Sequence, residues 1–183
     1  VFRNNKELVK SLSPSNSIVA LNSWYAHNRM DNLPLVKIGE DAKQKAVMHN
    51  GARKNLTIVV LGETSRAENF SLGGYDRETN PRLKQDDVVY FPKTTSCGTA
   101  TAVSVPCMFS NMPRAHYDEE LAHHQEGVLD ILQRAGVQVL WNDNDGGCKG
   151  ACDRVPHQNV TDLHLSGQCI DGECYDEVLF HNL

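Results

Sequence analysis

The sequence predicts an α/β sandwich, and three segments carry that prediction. The first, "LTIVVLG" at residues 56–62, is a continuous apolar and β-branched run, which is typical of a strand buried on both faces. The second, "DEELAHHQEGVLDILQRAG" at residues 118–136, repeats its apolar residues at helical spacing. The third, "VQVLW" at residues 137–141, is another apolar run of strand length. Strand and helix therefore alternate, as they do in α/β folds.

Local signals mark the ends of these elements. Gly62 ends the first apolar run, Asp118 can provide the N-cap of the helix, and Gly136 stops that helix. Residues 1–50 have a different character, because Pro14 and many Ser and Asn residues favour turns and leave only short helical stretches between them. We therefore assign residues 1–50 to a connecting arm and residues 51–183 to the domain proper.

The distribution of charge excludes one class of function. The 183 residues carry a net charge of -5, and their Lys and Arg residues are scattered along the chain. Because binding to a nucleic-acid backbone requires clustered positive charge, we expect no nucleic-acid partner. The longest apolar run has about seven residues, far fewer than the roughly 20 that a membrane-spanning helix needs.

Six cysteines fall into three close pairs. An even number at short separations is typical of disulfides in an oxidising compartment, so we expect each pair to form a disulfide. The alternative is a zinc knuckle made by the last four cysteines, although their C-x3-C and C-x4-C spacings differ from the usual C-x2-C. The predicted pairs are Cys97 with Cys107, Cys148 with Cys152, and Cys169 with Cys174.

Polar residues follow both predicted strands, as "GETSRAENF" and as "NDNDGGCKG". Ligands bind outside the carboxyl ends of the strands in open α/β sheets. Between the two loops lies "SCGTATAVSVPC", residues 96–107, in which small residues and hydroxyls open a predicted helix. Free amides at a helix start attract a phosphate, which would lie beside Thr101 in the first turn. We expect Thr99 to be the N-cap of this helix.

Thr101 is therefore a candidate nucleophile. An alcohol is almost fully protonated at neutral pH, so it needs a group that lowers its pKa. A divalent metal ion would do this, and Glu63, at the end of the first predicted strand, is the nearest carboxylate suited to hold one. The alternative is that these hydroxyls only cap a helix that a disulfide stabilises. The residues by themselves leave both interpretations open.

Two longer motifs resemble a known family. "GETSRAENFSLGGYDRETNP" and "TSCGTATAVSVPCMFS" resemble the soluble catalytic domain of the bacterial inner-membrane phosphoethanolamine transferases, which act on lipid A and include the mobile colistin resistance proteins. The resemblance implies an α/β/α sandwich of the alkaline phosphatase-like, or sulfatase-like, superfamily. It implies that zinc is the cofactor, that Glu63 and Thr101 are zinc ligands, and that Thr101 accepts the phosphoethanolamine group. It also implies that Lys149, Asn144 and Asp145 lie at the substrate.

The same resemblance implies a reaction and a location. Phosphatidylethanolamine would be the donor and a phosphate of lipid A the acceptor, with a phospho-threonine intermediate, and the modified lipid would bind polymyxins less well. The family has a bundle of transmembrane helices, and its catalytic domain faces the periplasm from the inner membrane. Its "DHGE" motif, which contains further zinc ligands, does not occur in this sequence, so we expect residues 51–183 to represent roughly the first half of the domain.

Two alternatives belong to other classes of function. One is a phosphatase or sulfatase-type hydrolase of the same superfamily, which would share the carboxylate at the strand end and the nucleophile at the helix start. It would differ from a transferase in using water as its acceptor. The other is a non-enzymatic binding module stapled by disulfides, or by zinc if the last four cysteines form a knuckle.

Overall fold

The computed structural model describes residues 15–30, 33–45, 55–165, 167–170 and 173–181, which contain four α-helices, five short 3-10 helices and four short strands. The α-helices are α1 (Ser15–Met30), α2 (Thr101–Phe109), α3 (Glu119–His123) and α4 (Val128–Arg134). The strands are β1 (Trp141–Asp143), β2 (His157–Asn159), β3 (Cys169–Ile170) and β4 (Glu173–Cys174). β1 pairs in parallel with β2, and β3 pairs antiparallel with β4.

The core lies where α4 packs on the loop that follows β1. Phe109, at the end of α2, and Trp141, at the start of β1, pack against this core and meet edge to face with ring centroids 5.3 Å apart. The end of the helix that begins at Thr101 and the loop after β1 therefore share one core. The buried centre of this core contains a leucine, a valine and a disulfide (Leu129, Val155, Cys148 and Cys152).

The single helix predicted over residues 118–136 is two helices, α3 and α4, so that prediction was wrong. Between them the backbone pairs with a distant residue instead of continuing the helix. The Val36 amide donates to the His124 carbonyl at 2.7 Å, and the Glu126 amide donates to the Val36 carbonyl at 2.9 Å. A Cβ at Gly127 would lie 2.7 Å from the carbonyl oxygen of Phe109, so this close approach to α2 requires glycine.

The ends of α3 and α4 follow the local signals. Asp118 caps α3, as predicted, because its side chain accepts a hydrogen bond from the Leu121 amide at 3.0 Å. The Asp130 carboxylate accepts from the Gly127 amide at 2.7 Å, which starts the second helix. Gly136, the predicted stop, has a left-handed backbone with φ of 88° just after α4.

Residues 36–44, which we call the strap, pack on α4. The backbone at Gly39 has φ of 57°, and a Cβ there would lie 3.2 Å from the side chain of Ile131. Arg134 donates to the Ile38 carbonyl at 2.7 Å, and the Ile38 amide donates to the Glu126 carboxylate at 3.2 Å. Part of the predicted arm is thus bound to the domain, while the boundary near residue 50 stays a prediction.

Residues 56–62 form no strand with any described segment, contrary to the prediction of a strand buried on both faces. Leu56, Val59 and Val60 are 73%, 72% and 75% exposed. A strand requires hydrogen bonds to a neighbouring strand, and the described residues pair only elsewhere. The apolar composition indicates that these residues favour burial, but it does not show which segments would pack against them.

The second strand lies further along the chain than the apolar run predicted to form it, residues 137–141. β1 begins at Trp141, the last residue of that run, and Val137 and Leu140 remain 37% and 49% exposed. The register aligns Trp141 with His157 and Asp143 with Asn159. Hydrogen bonding to β2, rather than apolar character, therefore sets the limits of the strand.

The predicted arm contains a longer helix than expected. α1 has 16 residues, so the prediction of only short helical stretches was wrong for this segment. Ser and Asn lower helix propensity by only fractions of a kcal/mol, which the Ala and Leu residues among them can offset. Its Ile18, Leu21 and Tyr25 side chains are exposed. Among the helices of the described residues, none combines the length and apolar character that crossing a membrane requires.

Candidate active site

Glu63 and Thr101 lie in contact, although 38 residues separate them in the sequence. Oγ1 of Thr101 lies 3.1 Å from Oε1 and 3.2 Å from Oε2 of Glu63, so the hydroxyl donates one hydrogen bond shared between the two oxygens. Glu63 is exposed and Thr101 is half-buried. A hydroxyl that can act as a nucleophile therefore meets a carboxylate that can orient it or bind a cation.

Thr101 is the first residue of α2, in the first turn as predicted. The N-cap is Ala100, whose carbonyl accepts the amides of Val103 at 3.0 Å and Ser104 at 2.9 Å. The prediction that Thr99 is the N-cap was wrong, because the helix begins one residue later than it requires. Since alanine has no side-chain acceptor, the first amides of α2 and the positive end of its dipole stay open beside the Thr101 hydroxyl.

All six cysteines form disulfides, in the three pairs that their spacing predicts. The bond between Cys97 and Cys107 joins the turn before α2 to the body of that helix, with the two Cα atoms 6.4 Å apart. It encloses Thr101 in a small covalent ring. The other two disulfides exclude the zinc knuckle, because sulfur atoms in a disulfide do not bind zinc as thiolates.

Lys149 and Asp145 lie in the loop after β1. Lys149 is half-buried with φ of 53°, and its Nζ donates to the Gly146 carbonyl at 2.5 Å. Asp145 is exposed. In the described residues no hydrogen bond joins this loop to Glu63 or Thr101. The structure thus brings Glu63 and Thr101 together. The role of Lys149 and Asp145 in substrate binding stays a prediction.

Asn144 ties the same loop to β4. Its Nδ2 donates to the Cys174 carbonyl at 3.0 Å and to the Asp176 carboxylate at 2.9 Å. Its Oδ1 is buried without a hydrogen-bond partner among the described residues. The amide of Asn144 therefore has a structural contact with β4 and Asp176, and its part in substrate binding stays a prediction.

Two buried carboxylates beside the strap are paired with arginines. Glu126 and Asp130 are each 8% exposed. Arg154 donates to both oxygens of Asp130 at 2.8 Å, and Arg134 pairs with Glu126. Burial alone would raise the pKa of each carboxyl, but the arginine and backbone hydrogen bonds outweigh it and lower both pKa values below their ordinary values. A shallow cleft beside these pairs is lined by Glu126 and Arg154 among other residues, and it does not include Glu63 or Thr101.

Two residues that shape the loops were not predicted from the sequence. Thr64 has φ of 53°, and its Oγ1 donates to Oε1 of Glu63 at 2.9 Å. Asp143 accepts the Gly147 amide at 2.6 Å and so closes the turn that leads to Lys149. The adjacent glycines at 146 and 147 were a signal for that turn. Thr64 had no signal beyond its place next to Glu63.

The oxygen atoms of Glu63 and Thr101 fit two positions of a zinc site, since carboxylate oxygen is a regular zinc ligand and zinc takes about four ligands. Within the described residues, one other compact group has suitable ligand types, formed by Cys148, Cys152 and Asp153. Its two sulfur atoms form a disulfide. The contact of Glu63 with Thr101 thus supplies two oxygen atoms that could bind a divalent ion, and zinc at this position stays a prediction.

The sequence and the fold of this chain match those of a known protein family. The sequence model of the Sulfatase family matches residues 55–183, which include Glu63, Thr101 and all six cysteines. This chain belongs to the sulfatase family. Membership of this family confirms the predicted α/β fold of the alkaline phosphatase-like superfamily. The described residues contain both helices and strands, as that fold requires.

The relatives of this sulfatase-family chain are phosphoethanolamine transferases, which confirms the resemblance. It is 77% identical to EptA of Salmonella typhimurium over 183 residues, covering 100% of this chain and 34% of that protein. It is 48% identical to Mcr-1 of Escherichia coli over 111 residues, covering 60% of this chain and 20% of that protein. The solved structure of an integral membrane protein, lipooligosaccharide phosphoethanolamine transferase A of Neisseria meningitidis, matches 98% of this chain and 34% of its own, with a TM-score of 0.84 and 44% identity. The chain spans about a third of the length of EptA.

Proposed function

We propose that the protein transfers phosphoethanolamine from phosphatidylethanolamine to a phosphate of lipid A. One observation carries the proposal: the Thr101 hydroxyl, at the open start of α2, shares a hydrogen bond with both oxygens of Glu63. This nucleophile and carboxylate occur in a chain that is 77% identical to a phosphoethanolamine transferase. The name of Mcr-1, a phosphatidylethanolamine transferase, supports the choice of donor.

The proposed reaction has two steps. Oγ1 of Thr101 first attacks the phosphorus of phosphatidylethanolamine, so that an Oγ1–P bond forms, the P–O bond to diacylglycerol breaks, and the hydroxyl proton goes to the departing oxygen. Glu63 orients the hydroxyl, while the start of α2 faces the negative phosphate. The hydroxyl oxygen of a lipid A phosphate then attacks the same phosphorus, so that a new O–P bond forms, the Oγ1–P bond breaks, and the proton of that hydroxyl passes to Oγ1 of Thr101.

We propose zinc as the cofactor, with Glu63 and Thr101 as two of its ligands. A bound zinc ion lowers the pKa of a hydroxyl that it contacts. The cationic Lys149 suits the phosphate of the substrate, and the exposed Asp145 suits the ammonium of ethanolamine. Asn144, whose amide is held by β4, would fix the loop that carries these two side chains.

We propose that the protein acts at the inner membrane with this domain on the periplasmic side. Three disulfides favour an oxidising compartment. The Neisseria relative is an integral membrane protein, which supports attachment to a membrane. Because ethanolamine adds a positive charge to lipid A, the modified outer membrane would bind polymyxins and other cationic peptides less strongly.

Mass spectrometry of the full-length protein with phosphatidylethanolamine vesicles tests the proposal. Without lipid A, the peptide that contains Thr101 should gain one phosphoethanolamine mass, and adding lipid A should transfer that mass to the lipid. Thr101→Ala should abolish both products, whereas Thr99→Ala, which removes an exposed hydroxyl two residues away, should retain them. Thr101→Ser should retain part of the activity.

Membership of the sulfatase family also favours a hydrolase, which the same experiment separates from a transferase. Free phosphoethanolamine accumulating with unmodified lipid A would identify a hydrolase. An adduct that persists in Thr101→Ala would contradict the assignment of the nucleophile. A full-length protein that forms neither adduct nor product would support the non-enzymatic binding module.

A further inference from the structure

Thr64 combines a β-branched side chain with a left-handed backbone. Its φ is 53°, and among the described residues Lys149 and His164 are the other non-glycine residues with positive φ. A branched Cβ is crowded by the neighbouring backbone in this region, so threonine rarely adopts it unless the surrounding structure holds it there. Backbones of this kind cluster at functional sites.

The left-handed backbone brings Thr64 to Glu63. In an extended chain, neighbouring side chains point to opposite faces, whereas a left-handed residue turns the chain away from that alternation. With the chain turned, Oγ1 of Thr64 lies 2.9 Å from Oε1 of Glu63. The left-handed conformation and the hydrogen bond to Glu63 therefore occur together at this residue.

Oε1 of Glu63 accepts from two hydroxyls. Thr64 donates to it at 2.9 Å and Thr101 donates at 3.1 Å, while Oε2 lies 3.2 Å from the Thr101 hydroxyl. Glu63 is exposed, and an exposed glutamate rotates freely about several bonds. Thr64 supplies a donor from the adjacent residue, where the chain itself limits that rotation.

We propose that Thr64 is a positioning residue that holds the Glu63 carboxylate in the orientation that faces Thr101 and a bound zinc ion. The inference rests on the proposed function, which gives Glu63 and Thr101 their roles. Hydroxyls and carboxylates that orient a metal ligand affect metal affinity and activity about 10-fold to 100-fold when they are removed. Thr64 acts through Glu63 and does not itself contact the substrate.

Three substitutions separate the hydroxyl from the backbone. Thr64→Ser keeps the hydroxyl, Thr64→Ala removes it and keeps Cβ, and Thr64→Gly removes it while adopting positive φ freely. In the full-length protein, zinc affinity is measured by competition with a chelator, and the rate of adduct formation on Thr101 is measured separately. We expect Ala and Gly to weaken zinc binding at least about tenfold and serine to restore it.

The control is Thr94→Ala, because the exposed Thr94 hydroxyl donates to the Phe91 carbonyl at 3.1 Å, outside the site. It should leave zinc affinity unchanged. Wild-type affinity in Thr64→Gly would overturn the proposal, as would affinity in Thr64→Ser as weak as in Thr64→Ala. Ala and Gly remove the same hydroxyl, so either one that folds provides the test.

The two proposals fail differently. Zinc affinity of the Thr64 series is measured without transfer, so loss of affinity in Ala and Gly supports the positioning role whichever reaction the enzyme catalyses. A Thr101→Ala protein that still transfers phosphoethanolamine would overturn the proposed function and leave that result in place. A wild-type protein that binds no zinc would overturn the cofactor and the positioning role together.

Discussion

Glu63 brings a negative charge to the hydroxyl of Thr101, and both of its oxygens share that contact. Glutamine has nearly the same shape but no charge, so Glu63→Gln keeps the volume of the side chain and removes the ligand that zinc prefers. We expect zinc content and phosphoethanolamine transfer to fall together, each by at least about tenfold. Metal analysis of the purified full-length protein and mass spectrometry of lipid A measure the two effects.

Glu68→Gln is the matched control for this prediction. Glu68 lies five positions after Glu63, is exposed, and pairs with Arg66 in the same loop. Exposed ion pairs contribute at most about 1 kcal/mol to stability, so this change should leave zinc content and transfer as they are. A Glu63→Gln protein with normal zinc and normal transfer would show that Glu63 is not a ligand.

The junction of α3, α4 and α2 depends on the absence of a side chain at Gly127. A Cβ there would lie 2.7 Å from the Phe109 carbonyl oxygen, a backbone atom that cannot move alone. We expect Gly127→Ala to lower the free energy of unfolding by about 1–3 kcal/mol, the cost of overpacking, as measured by urea denaturation. Gly73→Ala is the control, because its Cβ would meet the movable hydroxyl end of Tyr90 at 2.7 Å. A cost at Gly127 no larger than at Gly73 would contradict the prediction.

The start of α4 should be sensitive to acid through Asp130. Its pKa is lowered in the folded protein, because the hydrogen bonds from Arg154 and the Gly127 amide outweigh the effect of burial. A lowered pKa stabilises the fold above the ordinary value of about 4, and that stabilisation is lost as pH falls through the lowered pKa. We expect Asp130→Asn to cost roughly 3 kcal/mol at pH about 7 and less as pH falls below about 4.

Urea denaturation at both pH values measures this difference. The exposed Asp87 provides a control, since Asp87→Asn should change the free energy of unfolding by less than about 0.5 kcal/mol. A cost of Asp130→Asn that stays constant between the two pH values would mean that the ionised carboxylate does not contribute through its pairing with Arg154.

At the scale of the whole molecule, the strap is held to the domain by Arg134. This side chain pairs with the buried Glu126 and also donates to the Ile38 carbonyl at 2.7 Å. Arg134→Met would leave a buried carboxylate without its cation, which costs about 3 kcal/mol. We expect the strap to detach, so that trypsin cleaves at the exposed Lys37 and Lys43 faster than in the wild-type protein.

Arg66→Met controls for the loss of an exposed ion pair. Arg66 and Glu68 are 68% and 78% exposed, so separating them should change the cleavage rate at the strap very little. Equal cleavage rates in Arg134→Met and the wild-type protein would show that the backbone pairing of Val36 holds the strap without the arginine.

Local features of the fold could be predicted from the sequence. The cap at Asp118, the stop at Gly136 and the three disulfides all depend on residues close together in the chain. Thr101 could be placed in a first helical turn for the same reason. The pairing of Glu63 with Thr101 was a hypothesis from their places at a predicted strand end and helix start, and the long motifs favoured it, because spacing by itself does not bring together residues 38 positions apart.

The limits of the elements were decided by tertiary contacts. The helix predicted over residues 118–136 divides because its backbone between α3 and α4 pairs with Val36, and the Ile38 amide reaches Glu126 from 88 positions away. The limits of β1 depend in the same way on β2. Local periodicity carries no information about such partners, since a backbone amide bonds whichever carbonyl the fold presents.

The chain by itself determined which residue types could perform the chemistry, a hydroxyl at a helix start and a carboxylate after an apolar run. The tertiary structure alone decided their orientation. Thr64 shows the difference, because nothing in the letters "GETSR" indicates that this threonine adopts a left-handed backbone and donates to Glu63. Composition and local spacing select side chains, whereas the direction of each side chain depends on backbone angles that the packed fold imposes.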